Sequence, residues 1–137
     1  MTSKKQKAII IANLITERHR EKLEEYCNNK DLKIMQIFDL FDSNPSITED
    51  ILEFLTSQQD KISVIAETIS ELQKGISFIA LPRINKLISQ GKIELHFYNK
   101  NSIIDKNTNT TEAKMFEWNI AVFFSKSYLK SELTIGK

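Results

Sequence analysis

Apolar residues in this chain fall into short unbroken runs separated by longer stretches in which they recur every three or four positions. Ala8-Ile9-Ile10-Ile11-Ala12 is apolar without alternation and Ile62-Ser63-Val64-Ile65-Ala66 is nearly so, the pattern of strands covered on both faces. These two are expected to be neighbours in a sheet. Leu32 to Phe38 and Ile93 to Phe97 alternate more. In the second of them Ile93, Leu95 and Phe97 lie on one side and Glu94 and His96 on the other, so both segments are expected nearer the sheet edges.

Between these runs the period changes to that of a helix. Thr16 to Asn29 sets Leu23, Tyr26 and Cys27 on one stripe among charged residues. Ser46-Ile47-Thr48-Glu49 has the spacing of a capping box, and a helix from about Thr48 to Ser57 should follow, burying Ile51, Leu52 and Leu55. Ile76 to Ser89 is helical in spacing but contains Pro82, which lacks a backbone donor, so a kink or restart is expected there. Asn99 to Thr111 is polar and rich in Asn, Lys and Thr, the composition of a mobile loop. From Glu112 to about Thr134 the pattern is helical again, with Met115, Trp118, Ile120, Val122, Phe123 and Tyr128 giving more apolar surface than one face against a sheet requires. That surplus points to a partner. Strands alternating with helices predict an α/β fold: a mainly parallel sheet of four or five strands, flanking helices and a protruding long C-terminal helix.

Composition narrows the picture. With 137 residues, 41% hydrophobic and 27% charged, the chain reads as one soluble domain, with a core over 1–110 and the long helix over 111–137. Nineteen basic against eighteen acidic residues leave a net charge of +1, without the strong positive balance of a dedicated nucleic-acid binder. Cys27 is the one cysteine, so no internal disulfide is available, and with His19 and His96 it supplies too few ligands for a Cys/His zinc site. No cofactor and no metal are expected, and a reducing, cytoplasmic setting fits. No apolar run approaches the ~20 residues of a membrane helix, and the lysines before Ala8 look like the start of a signal peptide only until Asn13 and Glu17-Arg18 end the run.

Several chemistries are missing from the pattern. No glycine follows the first strand, which excludes a P-loop and a dinucleotide fingerprint. Asn13 and Ala66 stand where a phosphoacceptor domain would carry carboxylates. Cys27 lies on the apolar stripe of the first helix and reads as a small buried hydrophobe. His19, on a charged helical face, and His96, on an alternating strand, read as solvated or edge residues.

The order of elements and several local strings resemble the N-terminal catalytic domain of serine site-specific recombinases, the resolvase and invertase family. Ile11-Ala12-Asn13-Leu14-Ile15-Thr16 stands where that family has a Tyr-x-Arg-Val-Ser-Thr string, and Leu23-Glu24-Glu25-Tyr26 follows. Ile37 to Ser43 is similar to the strand-end Phe-x-Asp with its Ser-containing loop, the counterpart being Asp39 or Asp42 according to register. Ile69-Ser70-Glu71-Leu72-Gln73-Lys74 matches the Leu-Asp-Arg-Leu-x-Arg that ends the family's third strand in one frame; in another, Thr68 and Glu71 take the arginine positions. Leu87 to Leu95 is similar to the helix end, glycine and fourth strand, and Ser102-Ile103-Ile104-Asp105 to the loop beyond.

The resemblance implies a DNA-recombination domain from a mobile element whose cleavage chemistry is degenerate. The family's nucleophilic serine and its first arginine correspond to Ile15 and Asn13, a further arginine to Thr48, and the aspartate and two arginines of the third-strand string to Ser70, Glu71 and Lys74. None supplies a nucleophile with a phosphate-binding fork. The nearest replacement hydroxyls are Thr16, Ser70 and Ser43. The long helix would dimerise, with itself or with an intact recombinase, through Met115, Trp118, Val122, Phe123 and Leu129. It would meet DNA weakly through Lys126, Lys130 and Lys137, with Glu132 interleaved. Lys137 comes before the DNA-binding module that the family carries after that helix, so site recognition is expected to come from elsewhere or to be absent. The alternative is a non-catalytic α/β interaction module of flavodoxin-like type that dimerises through its C-terminal helix.

Overall fold

The computed structural model describes residues 5–42, 46–99 and 102–107. The described residues form five strands: β1 (Gln6–Ala12), β2 (Leu32–Asp39), β3 (Ile62–Ala66), β4 (Ile93–Phe97) and β5 (Ser102–Ile104). They alternate with helices α1 (Glu17–Asn29), α2 (Ile47–Ser57), α3 (Ile69–Gly75) and α4 (Leu81–Ser89), and single 3-10 turns cover Leu40–Asp42 and Phe78–Ala80. The sheet order is β2-β1-β3-β4-β5, parallel except for β5 against β4. The fold class is therefore α/β, and the two continuous apolar runs are central neighbours: Ile9 pairs with Val64 and Ile10 with Ile65.

Each face of the sheet is covered by different helices. Ile9, Ile11, Val64, Ile93, Leu95 and Phe97 pack with Ile51, Leu52 and Leu55 of α2, Leu72 of α3 and Ile84, Leu87 and Ile88 of α4. Ala8, Ile10, Ala12 and Ile65 pack with Leu23 and Cys27 of α1. Alternate residues of β1 thus serve two cores, the reason for its unbroken apolar run. Pro82 sits in the first turn of α4, where its missing N–H needs no partner, and the chain restarts there out of the 3-10 turn.

Four expectations need correction. β4 is not an edge, because the polar stretch after Asn99 contains Ser102-Ile103-Ile104, which adds β5 antiparallel to it. The segment Ile69 to Lys74 is not a strand end; β3 stops at Ala66 and these residues form α3. The capping box at Ser46 does not form, since Ser46 makes no side-chain cap bond to α2 and has φ −95° and ψ 11°, away from the extended cap geometry. In β2 the alternation breaks at a bulge: Ala8 pairs with Ile34 and Ile9 with Gln36, leaving Met35 unpaired and exposed. That extra residue sets Ile34 and Ile37, three apart, against the same α1-side core. The long helix expected over 111–137, with its dimer and DNA residues Met115, Trp118, Val122, Phe123, Leu129, Lys126, Lys130 and Lys137, lies outside the described residues. No described helix is long and apolar enough to cross a membrane.

Candidate functional site

The strand order dictates where a site can form. From β1 the chain passes through α1 on one face to β2, while β3, the other neighbour of β1, leads through α3 and α4 on the opposite face to β4. The connections leaving β1 and β3 thus diverge at their carboxyl ends, which creates the crevice where open α/β sheets bind ligands. Side chains from both connections, and from the end of β4, meet there.

Two threonine caps bring them together. Thr16 is the N-cap of α1 and its Oγ1 accepts from the backbone N–H of His19 at 3.2 Å; Thr68 is the N-cap of α3 and accepts from the N–H of Glu71 at 3.2 Å. His19 and Glu71 are therefore the third residues of two helices that start beside each other. His19 Nε2 lies 3.7 Å from Glu71 Oε1, and His19 Nδ1 lies 3.5 Å from Glu67 Oε2. Glu71 Oε1 also accepts from the backbone N–H of Glu67 at 3.3 Å, which ties the two acidic residues into one turn. Tyr98, just past β4, donates its hydroxyl to Glu67 Oε2 at 3.1 Å and meets His19 Nδ1 at 3.3 Å.

Proton positions in this cluster follow from the donor inventory. Burial, reinforced by Glu67, pushes the Tyr98 phenol up to about 12, so it keeps its proton and gives it to the carboxylate. Its oxygen is then open to accept from His19 Nδ1, which leaves Nε2 as the imidazole's other nitrogen. That Nε2 atom is fully buried and has no hydrogen-bond partner. Among the described residues one other buried side-chain atom shares this condition, Asn13 Oδ1 in the same β1–α1 connection. An open basin of about 300 Å³ adjoins His19, Glu67 and Tyr98 and is otherwise lined by Thr16, Arg18, Lys22 and Asn99.

Beneath α1 a second polar network runs across the sheet. Tyr26 donates to His96 Nδ1 at 2.8 Å, and His96 Nε2–H donates to Glu94 Oε1 at 3.1 Å. The same carboxylate accepts from Ser63 Oγ and Gln6 Nε2, both at 2.8 Å, and pairs with Lys61 at 3.2 Å. The His96 bond, followed by those of Ser63 and Lys61, holds the Glu94 carboxyl down at about 2 despite burial. The order Tyr–His–Glu has the outline of a nucleophile, base and orienter, but burial drives the Tyr26 phenol up to about 12, the wrong direction for a nucleophile. The network instead fixes α1 on the sheet, and its Tyr26 ring lies 6.2 Å from that of Tyr98.

Both histidines thus depart from their expected solvated positions. His96 is buried because α1 covers the polar side of β4, and His19 is largely enclosed because the first turn of α1 leans on the β3–α3 connection. Cys27 is buried as expected, and burial pushes its thiol up to about 11, so it stays protonated and unreactive.

The residues named from the resemblance all follow carboxyl ends of strands: Asn13 and Ile15 after β1, Thr48 in α2 after β2, and Ser70, Glu71 and Lys74 in α3 after β3. Of these, Glu71 joins the cluster. Ile15 and Ser70 are exposed. Thr48 donates its hydroxyl to the carbonyl of Gly75 at 2.9 Å and accepts from Ser77 N–H, a brace between α2 and the end of α3. Asp39 closes β2 by accepting from the N–H groups of Leu14 and Phe41. Ser43 lies outside the described residues. Because the Thr16 hydroxyl is committed to the α1 cap, Thr16→Ala should lower stability by about 1 kcal/mol in urea unfolding and loosen the first turn that carries His19.

Compared with models of protein families, with curated proteins and with solved structures, the chain matches none.

Proposed function

We propose that this chain is a serine-recombinase-like domain that has lost strand cleavage and acts by association, pairing with itself or with an intact recombinase. One observation carries the loss of chemistry. At the carboxyl end of β1, where the resemblance puts the nucleophile, stands Ile15, 64% exposed, with no hydroxyl and no arginine among the residues named for the site. The neighbouring hydroxyl, Thr16, is engaged as a helix cap on His19, whose imidazole faces the carboxylates of Glu67 and Glu71. A phosphodiester brought to this edge would meet like charge rather than a cationic fork. The association half of the reading rests on the apolar surplus of the sequence from Met115 to Tyr128.

Two measurements test the two halves. Incubation of the full chain with supercoiled DNA is expected to yield no SDS-resistant protein–DNA adduct; an adduct that disappears in Thr16→Ala would show cleavage chemistry and sink the reading. In sedimentation, the full chain is expected to run as a dimer and Phe123→Glu as a monomer of unchanged helical content. Equal masses for the two proteins would remove association through that segment.

A further inference from the structure

We infer that His19, Glu67 and Glu71 form a binding site for a divalent first-row transition ion, with Zn²⁺ as the best fit, at the crevice between the β1–α1 and β3–α3 connections. The inference is independent of the recombinase-like reading. One donor atom from each of the three side chains lies within 4.8 Å of the other two. Around a tetrahedral Zn²⁺, ligand atoms at about 2.0–2.2 Å from the ion stand about 3.4 Å from one another, and the 3.7 Å between His19 Nε2 and Glu71 Oε1 is close to that spacing.

His19 Nε2 is buried without a hydrogen-bond partner, 3.7 Å from the Glu71 carboxylate, while its other ring nitrogen meets the Tyr98 hydroxyl at 3.3 Å. Buried polar atoms without partners are rare in folded proteins. A cation between Nε2 and the carboxylate satisfies both groups at once. The Tyr98 hydroxyl then plays the part that an outer carboxylate or carbonyl plays behind metal-bound imidazoles, fixing the tautomer and the ring orientation.

The donor set selects the ion. One imidazole and two carboxylates suit Zn²⁺ and its neighbours better than Mg²⁺ or Ca²⁺, which favour all-oxygen shells. Three protein donors leave a coordination position for a further ligand, as in sites that act on substrates. With the two carboxylates neutralised by the ion, Arg18 and Lys22 dominate the adjoining basin, so an anionic group is the class of ligand it would draw toward the metal-loaded site.

The experiment uses the full chain, freed of metal with a chelator and titrated with Zn²⁺ by calorimetry near neutral pH. One equivalent is expected to bind, and X-ray absorption is expected to show a nitrogen and oxygen shell without sulfur. His19→Gln and Glu71→Gln should each weaken binding by about 100-fold or more. Tyr98→Phe, which removes only the hydroxyl that orders the imidazole, should weaken it about 10- to 100-fold. Binding that is absent up to millimolar Zn²⁺, or unchanged in both His19→Gln and Glu71→Gln, or sulfur-ligated through Cys27, would overturn the inference. Should those variants fail to fold by circular dichroism, the imidazole resonances of His19 in the wild-type chain decide: Zn²⁺ is expected to shift them, and resonances that stay in place would equally reject the site.

Discussion

Gly75→Ala should destabilise the fold by about 2 kcal/mol, and Ile11→Ala by about 3–4 kcal/mol, but the double variant by clearly less than their sum. A methyl group built on Gly75 would stand 2.6 Å from Cγ2 of Ile11 and 3.0 Å from Cδ2 of Leu40. Ile11 has no accessible surface and is β-branched on a central strand, so its methyl cannot swing aside as the end of a flexible chain could. Alanine is a better helix former than glycine by about 1 kcal/mol, and Gly75 closes α3 without a left-handed backbone, so the penalty is one of space alone. Removing the Ile11 side chain opens that space, and in its absence the alanine at 75 becomes neutral or favourable. Urea unfolding of the four proteins of the cycle measures the coupling. A neutral Gly75→Ala in the wild-type background would mean that α3 sits farther from β1 than described.

Glu94→Gln is the second large effect, with an expected loss of about 2–3 kcal/mol at pH 7. Its carboxylate gathers His96, Ser63, Gln6 and Lys61, and a neutral amide keeps at most part of that set while placing a donor against donors. The pH dependence follows from the direction of the shift. Glu94 is held at about 2 in the fold against an ordinary value of 4.5, so its contribution is complete above about 4.5 and fades as pH falls toward 2. The stability difference between wild type and Glu94→Gln should therefore be flat from about pH 7 to 5 and close between about pH 4.5 and 2. A difference that stays constant down to that acid limit would deny the carboxylate this role.

These two cases also show how far the sequence can be read. The central strands are legible because Ala8 to Ala12 and Ile62 to Ala66 are buried on both faces, which removes most polar residues from consecutive positions. Helix α4 is legible for a local reason, since Pro82 is tolerated only in a first turn. The polar clusters are harder to see. Glu94 and His96 alternate with core residues, a pattern shared by a solvated strand face and by a face covered with a helix that brings its own Tyr26; only the tertiary arrangement separates the two. For the crevice a signal is present: Thr68-Ile69-Ser70-Glu71 follows a buried strand with the spacing of a capping box, and Thr16 stands three residues before His19 after β1. Matching the first string to a strand end hides the helix it begins. The Ser46 to Glu49 string has the same spacing, and nothing in its local sequence distinguishes it from the cap that forms.

The bulge at Met35 bears on how copies of this chain can meet. Among the described residues β2 is the outer strand on one side of the sheet and β5, three residues long, on the other. A straight outer strand offers a row of unsatisfied amides and carbonyls on which a second chain can zip up, the first step toward open-ended fibres. In β2 the unpaired residue breaks the regular spacing of that row in mid-strand, and Lys33 adds charge nearby. On the opposite side the described row is three residues long, a short hold for a partner strand. Copies of the fold are thereby steered away from endless edge-to-edge stacking, and self-association is left to surfaces made of side chains, which can close on themselves and stop.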